Sequence, residues 1–270
     1  MTTGASLHRV EPGSKVDLAE IDPGDTSAGP ADKAAGREAL ASLTERLADL
    51  QEQLYAGAEH RVLVVLQGLD TSGKGGVVDH VLGAGHPAGL RVVSFKAPTP
   101  DELARDYLWR IHANVPKAGE IGVFDRSHYE DVLIARVEEL VPKARWRRRY
   151  DHINAFEQLL TDEGTTIVKV LLHISKDEQR ERLQARLEDP AKRWKFHPDD
   201  LRTRARWDDY QAAFAEAVTR TSTDHAPWHV VPADHKWYRD WAVATILVGV
   251  LEDLELTWPQ PEGLDGIVVE

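Results

Sequence analysis

Cysteine is absent from the 270 residues of this chain, and methionine occurs once. Disulfide bonds, thiolate metal sites and cysteine nucleophiles are therefore excluded. The first residues lack the basic start and apolar core of a secretory signal. The longest apolar run, residues 241–251, is too short to span a membrane and is typical of a buried helix. We therefore expect a cytoplasmic protein with no membrane partner.

An excess of positive charge is also missing, since 33 Lys and Arg residues stand against 45 Asp and Glu residues, a net charge of −12. This balance argues against a nucleic-acid partner, which usually leaves a basic surface. It does not argue against a smaller polyanionic ligand, because local charge can oppose the overall charge. The length and the 42% hydrophobic content suit one α/β domain with additions better than two independent domains.

Three regions differ in composition. Residues 1–30 are rich in Gly, Pro, Ser and Asp and show no periodicity, which predicts a flexible, extended N-terminal arm. Residues 31–58 carry leucines at helical spacing among charged residues, which predicts an amphipathic helix over 34–55 that ends at Gly57. Its apolar face must pack on the protein core or on a second subunit. Residues 59–270 form the main domain, with a lid at about 176–206.

Five apolar runs of the main domain predict strands, and the segments between them have helical periodicity. Strands are predicted at residues 62–66, 90–97, 120–125, 165–174 and 228–232. Helices are predicted from residue 77 and at 101–113, 145–160, 207–219 and 239–254. Because strands alternate with helices, we expect an α/β fold of three layers, with helices on both faces of a parallel five-stranded sheet.

The glycine-rich stretch 68–76 directly follows the first strand. Its Gly68-x-x-x-x-Gly73-Lys74 spacing matches the loop that closes backbone N–H groups around phosphate oxygens, with the lysine as a point charge. The predicted phosphate-binding residues of the loop are Gly68, Ser72, Gly73, Lys74, Gly75 and Gly76. Gly75 stands where Ser or Thr normally offers a hydroxyl to magnesium, so another group must hold a metal. The alternative is a glycine-rich turn with a solvated lysine.

Polar side chains also follow the second and third strands. Lys96 follows the second, and Asp125 and Arg126 close the third. Because ligands of open α/β sheets bind beyond the carboxyl ends of the strands, we expect these groups to converge with Asp70 and Lys74. Asp125 ends an apolar strand as a magnesium-binding aspartate does, so Asp70 and Asp125 are the predicted metal ligands. The alternative role of Asp125 is to cap the following turn.

Residues 176–206 reverse the acidic character of the chain, because cations outnumber acids there. Pro190 and Pro198 interrupt the helical pattern, which predicts a mobile helix-loop-helix over the sheet edge. Arg182 and Arg186 lie four residues apart, so on one helix face they could clamp a phosphate together. The alternative is a solvated basic helix.

Further cations surround Trp194 in this segment. Lys192 and Lys195 could track a phosphate chain, or they could belong to a surface turn that is anchored by a buried tryptophan. The arginine run at 145–149 is predicted to be a solvated helix face rather than a binding site.

Several motifs then recur in a fixed order, at residues 12–18, 68–76, 95–100, 108–112, 122–133, 189–195, 207–210 and 232–238. Together they resemble the polyphosphate kinase 2 family over nearly the whole chain. The resemblance implies a phosphate-loop kinase fold with a helical lid. It also implies that inorganic polyphosphate donates a phosphoryl group to a nucleoside mono- or diphosphate, with magnesium, or alternatively manganese, as the cofactor.

The resemblance also implies roles at matching positions. The implied catalytic residues are Asp70, Lys74, Asp125, Arg126 and Arg186. The implied nucleotide-binding residues are Asp70, Arg110, Asp125, Arg126, Tyr129 and Glu130. The implied phosphate-binding residues outside the glycine-rich loop are Lys96, Arg182, Lys192 and Lys195. The run 128–133 resembles members that phosphorylate both AMP and ADP, although Gly75 and Asp125 differ from the residues common in such members.

We therefore expect a polyphosphate-dependent nucleotide kinase, reversible in principle, that acts on AMP and ADP, with GMP and GDP as further candidates. The leucine stripe and the extended N-terminal arm together suggest a homo-oligomer, either a dimer or a tetramer. Three alternatives remain: a kinase restricted to nucleoside diphosphates, an ATP-dependent nucleotide kinase on the same fold, and a non-catalytic nucleotide-sensing protein. The basic lid disfavours the second, and the retained catalytic set disfavours the third.

Overall fold

A five-stranded parallel sheet forms the centre of the computed structural model, which describes residues 4–260. The strands are β1 (Arg61–Gln67), β2 (Leu90–Ser94), β3 (Ile121–Asp125), β4 (Thr165–His173) and β5 (Trp228–Pro232). They lie in the order β2-β3-β1-β4-β5, and every neighbouring pair is parallel. The predicted sheet is confirmed. Because β1 lies between β3 and β4, its carboxyl end is at the centre of the edge where ligands bind in such folds.

Within the described residues, ten α-helices accompany the sheet. They are α1 (Lys33–Gly57), α2 (Lys74–Val77), α3 (Pro100–Leu103), α4 (Trp109–His112), α5 (Ile134–Val137), α6 (Lys143–Asp162), α7 (Lys176–Glu188), α8 (Asp199–Ala205), α9 (Trp207–Thr221) and α10 (Lys236–Glu252). A π-helical turn, Val78–Leu82, continues α2. In the part of the chain that is described, no helix is long and apolar enough to cross a membrane.

The burial of each strand explains its sequence. β1 and β4 are buried on both faces, so their residues form nearly continuous apolar runs. β2 is an edge strand, and Val92 is exposed there. It ends at Ser94 rather than at residue 97, because its partner β3 ends opposite it at Asp125. Beyond the strand, Nη1 of Arg110 donates to the carbonyl oxygen of Lys96 at 2.8 Å. The side chain of Lys96 is exposed.

The amphipathic helix α1 packs on α10 of the same chain. Its apolar face buries Leu47, Leu50 and Leu54, and Gly36 lies against the ring of Trp237, where a Cβ atom would be 2.2 Å from the ring. The leucine stripe is therefore explained by packing within one chain and gives no support to a subunit contact. The helix continues through Gly57, and its left-handed cap residue is Ala58, with φ 49°.

The N-terminal arm lies against the domain, which differs from the flexible arm that was predicted. The N–H of Val10 donates to the carbonyl oxygen of Trp228 at 2.8 Å, and the N–H of Val230 donates to that of His8 at 3.0 Å. These bonds add a short antiparallel segment beside β5. Leu18 is buried in the main core. Backbone pairing with β5 thus fixes a segment whose composition predicted disorder.

The single helix predicted at 101–113 is two short helices, α3 and α4. Asp106 separates them, because its Oδ1 accepts from the N–H groups of Leu108 and Trp109 at 2.9 and 3.1 Å and so caps the start of α4.

Candidate functional site

The glycine-rich loop between β1 and α2 adopts a backbone that requires glycine at two positions. Gly68 and Gly73 have φ values of +147° and +110°. A Cβ atom would lie 2.6 Å from Oγ of Ser72 at the first position and 1.8 Å from Nη1 of Arg239 at the second. Thr71 is also left-handed, with φ 70°, a conformation that threonine adopts only when its surroundings impose it. The loop is therefore a tightly constrained turn.

Side chains hold a set of carbonyl oxygens around this loop. Nε2 of Gln179 donates to the carbonyl of Asp70 at 3.2 Å. Nη1 of Arg182 donates to the carbonyls of Thr71 and Ser72 at 2.9 and 3.1 Å. Nζ of Lys74 donates to the carbonyl of Gly68 at 2.9 Å, and this lysine is only 8% exposed. Three consecutive loop carbonyls are thus bound to α7.

The position of Arg182 differs from the predicted phosphate clamp. Its Nη2 donates to the carbonyls of Ala233 and Asp234 at 2.6 and 2.9 Å, and its Nε donates to Glu178 at 2.6 Å. Its Nη1 donates to the two loop carbonyls described above, so all three nitrogens of this buried guanidinium donate hydrogen bonds to other groups of the protein. Arg186 is separate, since its Nη1 donates to the carbonyl of Lys195 at 3.2 Å. In this structure Arg182 therefore contacts the loop carbonyls and not Arg186, and the joint phosphate clamp stays a prediction.

Arg126 and Asp70 meet at the carboxyl ends of β3 and β1. Nη2 of Arg126 donates to Oδ1 of Asp70 at 2.7 Å, and Arg126 has a left-handed backbone with φ 64°. Burial opposes its charge, but the carboxylates of Glu130 and Asp70 raise the pKa of Arg126 above its ordinary value. Burial raises the pKa of Glu130, while Arg126 and Lys74 oppose that shift. The structure thus brings four predicted residues into one charged cluster.

Asp125 has a carboxylate oxygen available for a ligand. Within residues 4–260, its Oδ1 is buried and has no hydrogen-bond partner, while its Oδ2 accepts from Oγ of Ser94 at 3.3 Å. The following turn is capped by Ser127, whose Oγ accepts from the N–H of Tyr129 at 3.2 Å. The hydroxyl oxygens of Thr71 and Ser72 are also buried without partners. The capping role that was the alternative for Asp125 thus belongs to Ser127.

These oxygens fit magnesium better than a metal that needs a cage of protein ligands. No group of three or more His, Cys, Asp or Glu side chains that could hold a metal occurs in the described part of the chain. Magnesium usually binds through one or two carboxylates together with waters and substrate phosphates. The buried, unpartnered Oδ1 of Asp125 is a ligand of the required hard-oxygen type.

Tyr129, which was predicted to bind nucleotide, lies in the core. It is fully buried, and its hydroxyl donates to Oε1 of Glu157 at 2.9 Å. Glu157 also pairs with the buried Lys169, whose Nζ donates to the tyrosine hydroxyl at 3.0 Å. His128 lies 3.1 Å from the same carboxylate. A buried polar network therefore accounts for the position of Tyr129 in this structure, and its contact with a nucleotide stays a prediction.

The helix-loop-helix of α7 and α8 lies over the glycine-rich loop. A small cavity of about 60 Å³ separates the loop from α8 and α9, and it is lined by Asp70, Arg126, Glu130, Thr203 and Tyr210 among others. Asp200, on α8, is close enough that burial and then the charge of Asp70 raise its pKa. This closeness was not predicted, since the spacing of Asp200 carries no motif.

The cations near Trp194 face solvent. The tryptophan is 77% exposed, so it does not anchor a turn as predicted in the alternative. Nζ of Lys195 lies 5.1 Å from the centre of its ring, and Lys192 pairs with Asp189 at 2.8 Å. These lysines are not in contact with the loop cluster of Asp70 and Arg126, and they remain available at the outer edge of the α7–α8 segment.

Arg110 lines a larger cavity of about 520 Å³ beside the end of β3. Asp131 lies in its wall and accepts from Nη1 of Arg149 at 2.9 Å. The wall is strongly basic, with Arg105, Arg110, Arg145, Arg148, Arg149 and His152. The arginine run at 145–149 therefore contributes to a cavity as well as to a helix face. A separate cavity of about 610 Å³ lies between α5, α6 and α9 and involves another part of the surface.

Two cations of α10 were missed by the sequence analysis. Arg239 is 2% exposed, pairs with Asp240 and packs beneath Gly73 and Gly76. Burial and the cations Arg182, Arg239 and Lys192 lower the pKa of Lys236, the first residue of α10. Lys236 and Arg239 lie three residues apart, a spacing that places two side chains on the same face of a helix. The sequence does not show that this face packs under the glycine-rich loop, which follows only from the fold.

Comparison with known proteins agrees with this arrangement. The model of the family described as "Polyphosphate kinase 2" matches residues 30–258. A protein of Meiothermus ruber named AMP/ADP-polyphosphate phosphotransferase is 54% identical over 264 residues, which cover 97% of this chain and 99% of that protein. An ADP-polyphosphate phosphotransferase of Rhodopseudomonas palustris is 44% identical over 219 residues, 77% of this chain and 76% of that protein.

A crystal structure of polyphosphate kinase 2 from Arthrobacter aurescens TC1 has the same fold, with a TM-score of 0.93 and 50% sequence identity. The match covers 97% of this chain and 93% of that one.

Proposed function

Because this chain belongs to the polyphosphate kinase 2 family, we propose that it transfers the terminal phosphoryl group of inorganic polyphosphate to a purine nucleoside mono- or diphosphate. The observation that supports this most directly is the cluster of Asp70, Lys74, Arg126 and Glu130 at the carboxyl ends of β1 and β3. Phosphoryl transfer requires positioning and charge neutralisation more than covalent chemistry, and this cluster supplies both.

The donor would bind at the glycine-rich loop. Its terminal phosphate would lie against the backbone N–H groups of the loop and against Lys74. Nζ of this lysine is now held by the carbonyl of Gly68 at 2.9 Å and would exchange that acceptor for a phosphate oxygen. A phosphate oxygen is the stronger acceptor, since hydrogen bonds between charged groups are about twice as strong as neutral ones.

The rest of the polyphosphate chain would follow cations outside the loop. Lys236 and Lys192 lie in the same region of positive charge as Arg239, and the lowered pKa of Lys236 reflects this crowding as well as burial. A polyanion would relieve the repulsion between these cations. Lys195 and Arg186 extend the positive surface along the lid, while Lys96 would meet the phosphates from the β2 side. Closure of the lid would exclude water, which otherwise competes as the acceptor.

The acceptor would place its phosphate against Arg126. The cavity of about 520 Å³ that has Arg110 in its wall has the volume of a small-molecule site. The guanidinium of Arg126 would leave Asp70 and neutralise charge on the transferring group, assisted by Arg186. The acceptor phosphate is already an anion at neutral pH, so the reaction needs no side chain to act as a nucleophile or as a general base.

Asp70 and Asp125 would hold magnesium, with manganese as an alternative, through Oδ atoms such as the unpartnered Oδ1 of Asp125. When bound there by these carboxylates, magnesium would supply positive charge that offsets the charge of the phosphates. Gly75 has no side-chain hydroxyl that could bind the metal, so the carboxylates of Asp70 and Asp125 would serve as the ligands.

We propose AMP and ADP as the preferred acceptors, since the Meiothermus ruber relative, named for both nucleotides, is 54% identical to this chain. Restriction to ADP is the alternative, and the Rhodopseudomonas palustris relative carries that name. The reverse reaction and the use of guanine nucleotides belong to the same proposal.

The test is to incubate the protein with magnesium, long-chain polyphosphate and AMP, ADP, GMP or GDP without ATP, and to separate the nucleotides by chromatography. We expect AMP to give ADP and then ATP. Lys74→Ala should abolish the transfer with the fold intact, whereas Lys117→Ala, a side chain that is 78% exposed, should leave it unchanged. Absence of product from every acceptor would contradict the proposal. Product formed only when ATP replaces polyphosphate would support an ATP-dependent kinase, and binding without turnover would support a sensor.

A further inference from the structure

Taking the proposed phosphoryl transfer as its basis, we propose that Gln179 and Arg182 are positioning residues that hold the glycine-rich loop in its phosphate-binding shape from behind. Both side chains project from α7, at the beginning of the segment expected to form the lid. They bind the carbonyl oxygens of three consecutive loop residues, Asp70, Thr71 and Ser72, at 2.9 to 3.2 Å.

The physical reason lies in the two sides of a peptide unit. The N–H and C=O of one peptide point in opposite directions, so a loop that directs its N–H groups at an anion must direct its carbonyl groups elsewhere. Buried carbonyl groups need hydrogen-bond partners. Gln179 is fully buried and Arg182 is 8% exposed, so water does not replace them easily. They supply these partners, and Thr71 keeps its unfavourable left-handed backbone as a result.

The orientation of the glutamine is itself fixed by the lid. Nη1 of Arg204, on α8, donates to Oε1 of Gln179 at 3.1 Å. Because this bond occupies the amide oxygen, the amide NH₂ group must face the carbonyl of Asp70. Arg182 is fixed in a similar way by Glu178 on one side and by the carbonyls of Ala233 and Asp234 on the other.

This arrangement divides the predicted lid into two parts. The first half of α7 is bound to the loop and to the turn after β5, so it forms the rear wall of the site. Movement that opens and closes the lid would then be confined to the residues after Arg182, including Arg186 and the exposed Trp194. Arg186 remains in the position to meet substrate, whereas Arg182 acts through the loop.

The kinetic test compares two isosteric changes on one helix. Gln179→Met removes a neutral hydrogen-bond donor to the loop, and Gln184→Met makes the same change at an exposed position whose amide bonds only to Glu188. We expect Gln179→Met to raise KM for polyphosphate and lower kcat, reducing kcat/KM by about 10- to 100-fold, as misplacement of reacting groups does. Its dissociation constant for AMP, measured by calorimetry, should change less than KM for polyphosphate does, because Gln179 contacts the loop backbone and not the Arg126 side chain. Gln184→Met should match the wild type.

Arg182→Met should cause the same kind of defect, and Arg182→Lys should recover part of the lost activity by restoring donors near the loop carbonyls. The combined Gln179→Met and Arg182→Met variant should lose less than the sum of the two single effects, since both side chains hold one loop conformation. If Arg182 instead contacted polyphosphate directly through its charge, then Gln179→Met would have no effect and the two changes would be additive.

Amide hydrogen exchange gives a readout that does not depend on activity. Peptides covering residues 68–76 should exchange faster in Gln179→Met and Arg182→Met, while the β1 peptide and the Gln184→Met protein should exchange as the wild type does. Unchanged exchange in the loop, or an unchanged KM for polyphosphate in Gln179→Met, would overturn the proposal. A wild-type protein without polyphosphate activity would refute the proposed function instead, and the exchange result would still decide the role of these residues. Should Arg182→Met fail to fold, Gln179→Met carries the test alone.

Discussion

Replacing Gly73 by alanine tests how tightly the glycine-rich loop is packed on α10. The new Cβ atom would lie 1.8 Å from Nη1 of Arg239, a side chain that is 2% exposed and bound through Nε to Asp240 at 2.7 Å. A left-handed backbone costs a non-glycine residue about 1–2 kcal/mol, and overpacking of a filled interior costs about 1–3 kcal/mol. We therefore expect Gly73→Ala to lower the free energy of unfolding by about 3 kcal/mol.

Such a loss corresponds to a melting temperature lower by about 6–12 °C for a protein of this size, which differential scanning calorimetry measures directly. Gly75→Ala is the matched control, because a Cβ atom at Gly75 has nothing within 4 Å. Since alanine favours a helix over glycine by about 1 kcal/mol, Gly75→Ala should melt at the wild-type temperature or slightly above it. Melting of Gly73→Ala within about 2 °C of the wild type would refute the packing of the loop on Arg239.

Two further predictions concern buried charge. Burial raises the pKa of Glu130, so its carboxyl stabilises the fold fully below the unfolded value of 4.5 and loses that contribution as the pH rises through the folded pKa. The melting temperature of Glu130→Gln should therefore lie above that of the wild type at pH 8, and the difference should shrink towards pH 4.5. A difference in melting temperature that does not change with pH would contradict this prediction. Lys169→Met leaves the carboxylate of Glu157 fully buried without its cation and should cost about 3–5 kcal/mol in urea denaturation. The double variant that combines Lys169→Met with Glu157→Gln should recover part of that stability. Equal stability of the single Lys169→Met variant and the double variant would refute the pairing of Lys169 with Glu157.

The sheet was predictable because its signal is local. Five apolar runs separated by helical segments give five parallel strands, and four of the five strands lie within one residue of their predicted bounds at both ends. Burial of β1 on both faces produces the continuous run that marks it. The glycine-rich loop was found for the same reason, since a strand, a turn and a helix in direct succession are encoded within a few residues.

Side-chain roles were less predictable because they depend on contacts far apart in the sequence. Helical spacing placed Arg182 and Arg186 on one face, but the carbonyls that occupy Arg182 come from residues more than fifty positions away. Tyr129 follows Arg126 closely, yet it meets Glu157 and Lys169 in the core. The arm had the composition of a disordered segment, and backbone bonds to β5 leave no trace in side-chain patterns.

The charges around the loop offer a reason for the missing hydroxyl at Gly75. Asp70, Asp125 and Glu130 bring three carboxyl groups to the site, against the two cations Lys74 and Arg126. A polyphosphate end would meet these carboxyl groups directly, and a divalent cation would offset their negative charge. A loop hydroxyl could bind such a cation but would add no charge to attract it, whereas the carboxylates proposed as ligands, Asp70 and Asp125, would do both. A Cβ atom at Gly75 would have nothing within 4 Å, so under this proposal the space beside it would be open to the phosphate oxygens of the donor.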